Sequence, residues 1–160
     1  QILLTDDTTT LSIDNVTWMQ DANYSLTKGT LYVDGDWNIS GDGTTFAYST
    51  SQTSDIKSNA HMIFDEGVTF SYDNSTATLI AMEDSAAAIH FKGGNLLATD
   101  DVRFQKGRLI FSDLVNVTKA TGKKVYIGDN SDPGNNVTLD FHEDSEVTFE
   151  DDETLENQNV

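Results

Sequence analysis

Six asparagines of this 160-residue chain stand in the pattern Asn-x-Ser/Thr, the acceptor motif for N-linked glycans. They are Asn15, Asn23, Asn38, Asn74, Asn116 and Asn136. With 12 Asn and 33 Ser plus Thr in the chain, chance alone predicts about 2.5 such motifs. Asn and Thr are also common at the corners of repetitive β folds, which would raise the count without any glycan. We treat the six as glycosylation candidates and expect Asn74 and Asn136, which adjoin clear loops, to be the most accessible.

Acidic side chains outnumber basic ones by 27 to 9, so the formal net charge is −18. Clustered carboxylates bind hard cations such as Ca²⁺, and the segment 34–38 (DGDWN) superficially resembles a calcium loop. It lacks the Gly-x₅-Glu that completes such a loop, so we predict a hydrated surface with diffuse divalent cations and no metal or cofactor site. Nucleic acid is disfavoured as a partner because a phosphate-binding protein needs a basic face.

Acid–base catalysis needs carboxylates beside a basic group, and parallel β-helices include polysaccharide lyases and hydrolases. The densest basic segment of the chain adjoins two acidic residues and comprises Asp100, Asp101, Arg103, Lys106 and Arg108. A surface salt-bridge patch explains this segment better. The three histidines, His61, His90 and His142, accompany no nucleophile motif, and the chain has no cysteine for thiol catalysis or disulfides. We therefore predict that the protein is not an enzyme.

The elements that carry these residues alternate apolar and polar positions with a period of two, as strands do. Six times, one apolar-x-apolar triplet is followed after two to five polar residues by a second triplet. The paired triplets are 11–13 and 16–18, 31–33 and 37–39, 62–64 and 68–70, 96–98 and 102–104, 109–111 and 115–117, and 139–141 and 147–149. The best helical window, 82–89, supports one or two turns at most. The chain is predicted to be all-β.

A repeated pair of triplets predicts a coil that turns a corner and buries its apolar face by stacking on the next coil, as in a parallel β-solenoid. The aromatic residues at template positions are then expected to form interior ladders. The orientation of Tyr24, Tyr32, Tyr48 and Tyr72 is less fixed, and an exposed tyrosine could contact glycans. Spacing between copies is irregular: Leu31 follows Leu11 by 20 residues, but Leu109 follows Leu96 by 13. The alternative is a β-sandwich of the pilin or immunoglobulin type.

Several segments resemble the repeat units of large bacterial β-solenoid surface proteins, similar to the passenger domains of autotransporter adhesins. The resemblance rests on 14–21 (DNVTWMQD), 28–33 (KGTLYV), 39–46 (ISGDGTTF), 67–72 (GVTFSY), 106–111 (KGRLIF) and 157–160 (NQNV). It implies a right-handed parallel β-helix, an extracellular or cell-surface location, and a structural or adhesive role without catalysis.

We therefore expect a single domain over residues 1–160 that acts as a structural subunit or repeat of an extracellular fibre. Open strand edges at both ends would join copies head to tail, with the apolar segment Ile2–Leu4 adding to a neighbour's edge. A glycan-binding adhesin module is the alternative, and a polysaccharide-active enzyme the least favoured. No apolar run approaches the roughly 20 residues of a membrane span. Because the chain starts at Gln1, we expect a processed protein or a segment of a longer one.

Overall fold

The computed structural model describes residues 3–73, 80–129, 131–132, 134–151 and 154–159. Over these residues the chain forms nineteen strands of three to six residues and no helix. The first nine strands are β1 (Thr10–Ile13), β2 (Val16–Met19), β3 (Tyr24–Leu26), β4 (Thr30–Val33), β5 (Trp37–Ser40), β6 (Thr45–Tyr48), β7 (Ser54–Ile56), β8 (His61–Phe64) and β9 (Thr69–Tyr72). The others are β10 (Ile80–Met82), β11 (Ala88–Lys92), β12 (Asn95–Ala98), β13 (Val102–Phe104), β14 (Gly107–Ser112), β15 (Leu114–Lys119), β16 (Val125–Ile127), β17 (Val137–Phe141), β18 (Glu146–Phe149) and β19 (Leu155–Asn157).

Every third strand lies on the same face of the molecule, so three consecutive strands make one coil. The first face carries β1, β4, β7 and β10, and then a separate sheet of β13, β16 and β19. The second face is one sheet from β2 through β5, β8, β11 and β14 to β17, and the third runs from β3 through β6, β9, β12 and β15 to β18. All strand pairs of the described residues are parallel. The chain is a parallel β-solenoid, and the β-sandwich alternative is wrong.

The coil has three strands, whereas the sequence template recognised only two of them. Each pair of triplets marks one corner, but the corner differs from copy to copy: 11–13 and 16–18 join the first and second faces, and 96–98 and 102–104 join the third and first. The 13 residues from Leu96 to Leu109 are therefore not the length of a coil, because Leu96 lies on the third face and Leu109 on the second. Between true partners the coil length is 20 residues from Thr10 to Thr30 and 32 from Leu114 to Glu146, because the corners vary in length.

The window 82–89, which had the best helical pattern, contains a turn between two strands. β10 ends at Met82 and β11 begins at Ala88. Between them the Ala86 amide donates to Asp84 Oδ1 at 2.8 Å, and the Ala87 amide donates to the Asp84 carbonyl at 3.2 Å. A capping aspartate of this kind favours a turn over a helix in so short a segment.

The core is a narrow column of side chains between the three faces. On the second face the strand register stacks one inward position from coil to coil, through Trp18, Ile39, Phe64, Phe91, Phe111 and Phe141. Ring centroids are 5.7 Å apart for Phe64 and Phe91, 5.7 Å for Phe91 and Phe111, and 5.2 Å for Phe111 and Phe141, with rings within 16° of parallel. These distances slightly exceed the spacing of neighbouring strands, so stacking follows directly from the parallel register.

Candidate functional site

The glycosylation candidates lie mostly on the outside of the coils. Asn15, Asn23, Asn116 and Asn136 are exposed, and Asn38 is half-buried on the outer side of β5. Some of these side chains also link coils: Asn23 Oδ1 accepts from the Thr45 amide at 2.9 Å, and Asn116 Nδ2 donates to Asn95 Oδ1 at 3.1 Å. Asn74 lies outside the described residues. Of the five candidates in the described part of the chain, four therefore have exposed side chains.

An acidic groove of about 510 Å³ runs along the corners between the second and third faces. Successive coils contribute its carboxylates, which are Asp42, Glu66, Asp113, Asp144 and Glu146. No group of three or more metal-binding side chains occurs in the described part of the chain. In the segment with the calcium-like pattern, the Asp36 carboxylate lies 3.0 Å from His61 Nδ1. The carboxylates are thus distributed along the coils and do not converge on one point.

The histidines lie on the outer side of the second face. His90 Nε2 and Ser112 Oγ are 2.8 Å apart, and the rings of His90 and His142 have centroids 5.8 Å apart. Burial, together with the neighbouring imidazole of His142, lowers the pKa of His90 below its usual value. His90 is therefore held in its neutral form over more of the pH range than a free imidazole.

The basic segment that could have supported acid–base catalysis separates into unrelated contacts. Asp100 pairs with Lys123, and Arg108 pairs with Asp140 on the next coil. Arg103 donates to the Gly128 carbonyl at 3.3 Å and lies over the Tyr126 ring at 4.8 Å. Arg103 on the first face and Arg108 on the second each contact the next strand of their own face, so these contacts do not bring the carboxylates and arginines of the segment together.

Three of the four tyrosines whose orientation the sequence left open are inside the core. Tyr24, Tyr48 and Tyr72 are buried, and Tyr48 donates a hydrogen bond to Ser54 Oγ at 2.7 Å. Tyr32 is half-buried, and the Lys57 ammonium lies 5.6 Å from its ring. The alternation of buried and half-buried residues in β6 and β9 puts these tyrosines on the inner side. The template did not fix their orientation, because it contained neither β3 nor β6 and its triplet 68–70 ends before Tyr72.

The N-terminal end of the solenoid is open on its second face. Within the residues that the structure describes, β2 pairs only with β5, and Val16 and Met19 are 41% and 78% exposed. One side of the half-buried Trp18 indole stacks on Trp37, with ring centroids 5.7 Å apart and planes within 2°. We call Val16, Trp18, Met19 and Gln20 the N-terminal end surface. It presents an aromatic ring and a free strand edge together.

Gln20 is the most unusual residue of this surface. Its side chain is 5% exposed, and Nε2 donates to Thr44 Oγ1 at 3.1 Å. Its Oε1 is buried and has no hydrogen-bond partner in the described part of the chain. It borders a pocket of about 240 Å³ whose other walls include Trp18, Asp21 and Tyr24. A buried acceptor without a donor costs about 1–3 kcal/mol, so this oxygen favours any group that brings an N–H or O–H to it.

The C-terminal end of the solenoid is open over part of the second face, because the Asn159 side chain bonds both the amide and the carbonyl of Val137 at the start of β17. β17, β18 and β19 each pair on one side only within the described residues. Phe141 is 48% exposed, and Leu139, Val147, Phe149 and Leu155 are partly buried against the core. We call Leu139 and Phe141 of β17 the C-terminal end surface. Side chains that point inward along the solenoid are therefore still partly exposed where the last described coil ends.

The apolar N-terminal segment does not extend away from the molecule over its described part. Leu4 lies in the hydrophobic core, and the Gly29 backbone approaches it at the corner between the third and first faces. Leu3 is exposed, and Ile2 lies outside the described residues. Leu4 is therefore occupied by its own chain and is not available to add to a neighbour's edge.

The described residues contain no helix that is long and apolar enough to cross a membrane. Comparison of the chain with family models, with curated proteins and with solved structures finds no match.

Proposed function

We propose that this chain is a non-enzymatic structural subunit or repeat of an extracellular fibre, and that its copies stack head to tail. The observation that carries the proposal is the pair of open ends. Strand edges and inward-pointing apolar side chains are exposed at both, on the same second face. The N–H and C=O groups on the free side of an edge strand can pair with a strand of another copy.

The negative charge at both ends of the chain opposes this assembly. Residues 1–27 contain four acidic and no basic side chains, and residues 125–160 contain eleven acidic and no basic ones. Bringing the two ends together costs electrostatic free energy that salt reduces, because the Debye length is about 8 Å at 0.15 M ionic strength. Divalent cations held diffusely by these carboxylates act in the same direction. Assembly is therefore expected to strengthen with added salt and more strongly with Ca²⁺ or Mg²⁺.

Electron microscopy and light scattering of the purified chain test the proposal. Samples are compared over a range of protein concentrations at low salt, at 0.15 M NaCl, and with added Ca²⁺ at matched ionic strength. The expected result is fibres whose length grows with concentration and with Ca²⁺. A monodisperse monomer at high protein concentration under all three conditions would contradict it.

A glycan-binding adhesin module is the second candidate, and the pocket beside Gln20 favours it. The half-buried indole of Trp18 beside the exposed carboxylate of Asp21 in this pocket suits the apolar face and hydroxyls of a sugar. A glycan array separates the two functions, because a monomeric chain that binds a defined saccharide supports the adhesin and not the fibre. Extracellular location belongs to both candidates and is supported by the glycosylation motifs and the acidic surface.

A further inference from the structure

We propose that His90 and His142 bind one Zn²⁺ or a chemically similar transition-metal ion on the outer side of the second face. The two histidines are far apart in the sequence, and no motif indicates that they meet. The fold brings them together, because β11, which carries His90, lies two strands from β17, and His142 follows directly after β17. The site is lateral, so it depends neither on the free edge of β17 nor on the assembly of copies.

The two imidazole rings are spaced as ligands of one ion are. Their centroids lie 5.8 Å apart, and their planes are inclined by 52°. An ion about 2.1 Å from one nitrogen of each ring would hold the two centroids roughly 5–6 Å apart in near-tetrahedral geometry. One ion can therefore bind to both rings after small rotations of the side chains, and water can complete its coordination.

Ser112 of β14 directs one nitrogen of His90 towards His142. His90 Nε2 and Ser112 Oγ are 2.8 Å apart. Phe111 pairs with Phe141, so the next step of this register places Ser112 beside the residue that follows Phe141, which is His142. The His142 amide donates to the Phe111 carbonyl at 3.0 Å, as this register requires. Nε2 of His90 therefore points towards the side of the face on which His142 lies.

Both ligands are attached to backbone that is held in place by hydrogen bonds. His90 lies in the middle of β11, which pairs with β8 on one side and with β14 on the other. The His142 carbonyl accepts hydrogen bonds from the Ser145 amide at 3.0 Å and from Ser145 Oγ at 2.7 Å. Ile110, on the outer side of β14, is only 6% exposed, so side chains of this surface lie across it. A preorganised pair of ligands loses less conformational entropy when an ion binds.

The surroundings of the two rings favour a cation that prefers nitrogen. Asp113 and Glu143 are exposed at the corner next to the site, and the chain has a formal charge of −18, which attracts cations. Lys92, which pairs with Ser112, has its ammonium 3.8 Å from Asp65 Oδ1. Imidazole suits Zn²⁺, Cu²⁺ and Ni²⁺, whereas Ca²⁺ and Mg²⁺ prefer oxygen ligands. The site therefore differs in selectivity from the diffuse binding of Ca²⁺ by carboxylates.

Calorimetric titration of the purified chain with Zn²⁺ at neutral pH tests the site, with excess Mg²⁺ present to occupy the carboxylates. The chain has three histidines and no cysteine, so each imidazole can be removed in turn. We expect one Zn²⁺ per chain, and an affinity at least about tenfold lower in His90→Gln and in His142→Gln, because the second imidazole no longer binds within the same molecule. The matched control is His61→Gln, which removes an imidazole whose Nδ1 lies 3.0 Å from Asp36 Oδ1, and its affinity should equal that of the wild type.

A second measurement uses the wild-type chain and requires no substitution. Diethyl pyrocarbonate modifies accessible histidines, and peptide mass spectrometry locates them; Zn²⁺ should protect His90 and His142 but not His61. The inferred site is wrong if the wild-type chain binds no Zn²⁺, if either tested variant is folded by circular dichroism and binds as tightly as the wild type, or if the control loses as much affinity as the tested variants. Modification of His142 that Zn²⁺ leaves unchanged would also overturn it.

Discussion

Substitution of Phe91 by alanine tests the central feature of this fold, which is the stacking of one side chain per coil along the axis. Phe91 is fully buried and has ring neighbours in the coils on both sides, Phe64 and Phe111, each with its centroid 5.7 Å away. Phe141 lies in the same column but is 48% exposed and has a single ring neighbour, Phe111, at 5.2 Å. The two residues therefore differ in burial and not in chemistry.

The magnitude follows from the buried area. A phenylalanine side chain buries roughly 150–250 Å², which corresponds to about 4–6 kcal/mol at about 25 cal/mol/Å². Measured costs of replacing a core phenylalanine by alanine are about 3–5 kcal/mol, so we predict about 4 kcal/mol for Phe91→Ala. Because Phe141 is half exposed, we predict about half of that cost, roughly 2 kcal/mol, for Phe141→Ala in the monomer.

Urea unfolding of the monomer, followed by circular dichroism, gives the free energy of unfolding of each variant. Leu97→Ala is the matched control, because Leu97 is a half-buried residue on the outer side of β12 in the same coil as Phe91. It should cost less than about 1 kcal/mol. Amide exchange adds a local measurement: coils of a solenoid contact only their neighbours, so exchange should accelerate most in β8 and β14. A cost for Phe91→Ala no greater than that of Leu97→Ala would refute the ladder as the main source of cohesion between coils.

Three further predictions concern a corner, a titrating side chain and the acceptor motifs. Gly107→Ala should destabilise the chain clearly more than Gly122→Ala: both glycines have positive φ, but a Cβ at Gly107 would lie 2.6 Å from Met82 Sδ, whereas at Gly122 it meets nothing within 4 Å. Thermal unfolding midpoints of the two variants measure this difference, and equal midpoints would contradict it. The lowered pKa of His90 means that the unfolded chain binds this proton more readily, so its contribution to stability is present above about pH 6.5 and is lost as the pH falls towards the folded pKa. Unfolding midpoints between pH 7.5 and 5 should decline less in His90→Gln than in the wild type. In a glycosylating host Asn136 should carry a glycan, and enzymatic deglycosylation that leaves the intact mass unchanged would exclude occupancy at all six motifs.

The local pattern of the sequence predicted the fold class and much of the core. Alternation in segments such as Leu109–Phe111 identifies strands because successive side chains of a strand point to opposite sides. Repetition of the pattern predicts stacking because one coil cannot cover its own apolar face. The interior position of Trp37, Phe64 and Phe70 also follows from the pattern, and the structure confirms it. These properties depend only on residues a few positions apart.

The third strand of the coil could not be recognised in this way. β7 has a single apolar residue, Ile56, and its Ser54 is buried because its Oγ accepts hydrogen bonds from Tyr48 and from the Leu31 amide. A polar residue whose partners are 6 and 23 positions away gives no local signal of burial. The orientation of Tyr48 could not be predicted for the same reason, since its inward direction depends on the register of β6, a strand that the template did not contain.

The sequence by itself determined that this chain is acidic, free of cysteine, composed of short alternating strands and repetitive, because composition and period-two patterning are local properties. Only the tertiary structure decided which strands share a face, that Leu4 belongs to its own core, and that Trp18 and Phe141 stand at opposite ends of one column. It also placed Asp100, Arg103 and Arg108 in different contacts. Within the described residues it left Oε1 of Gln20 buried and without a hydrogen-bond partner. The physical reason is that neighbours in a solenoid are separated by a whole coil of variable length, so contacts across coils depend on how each corner closes.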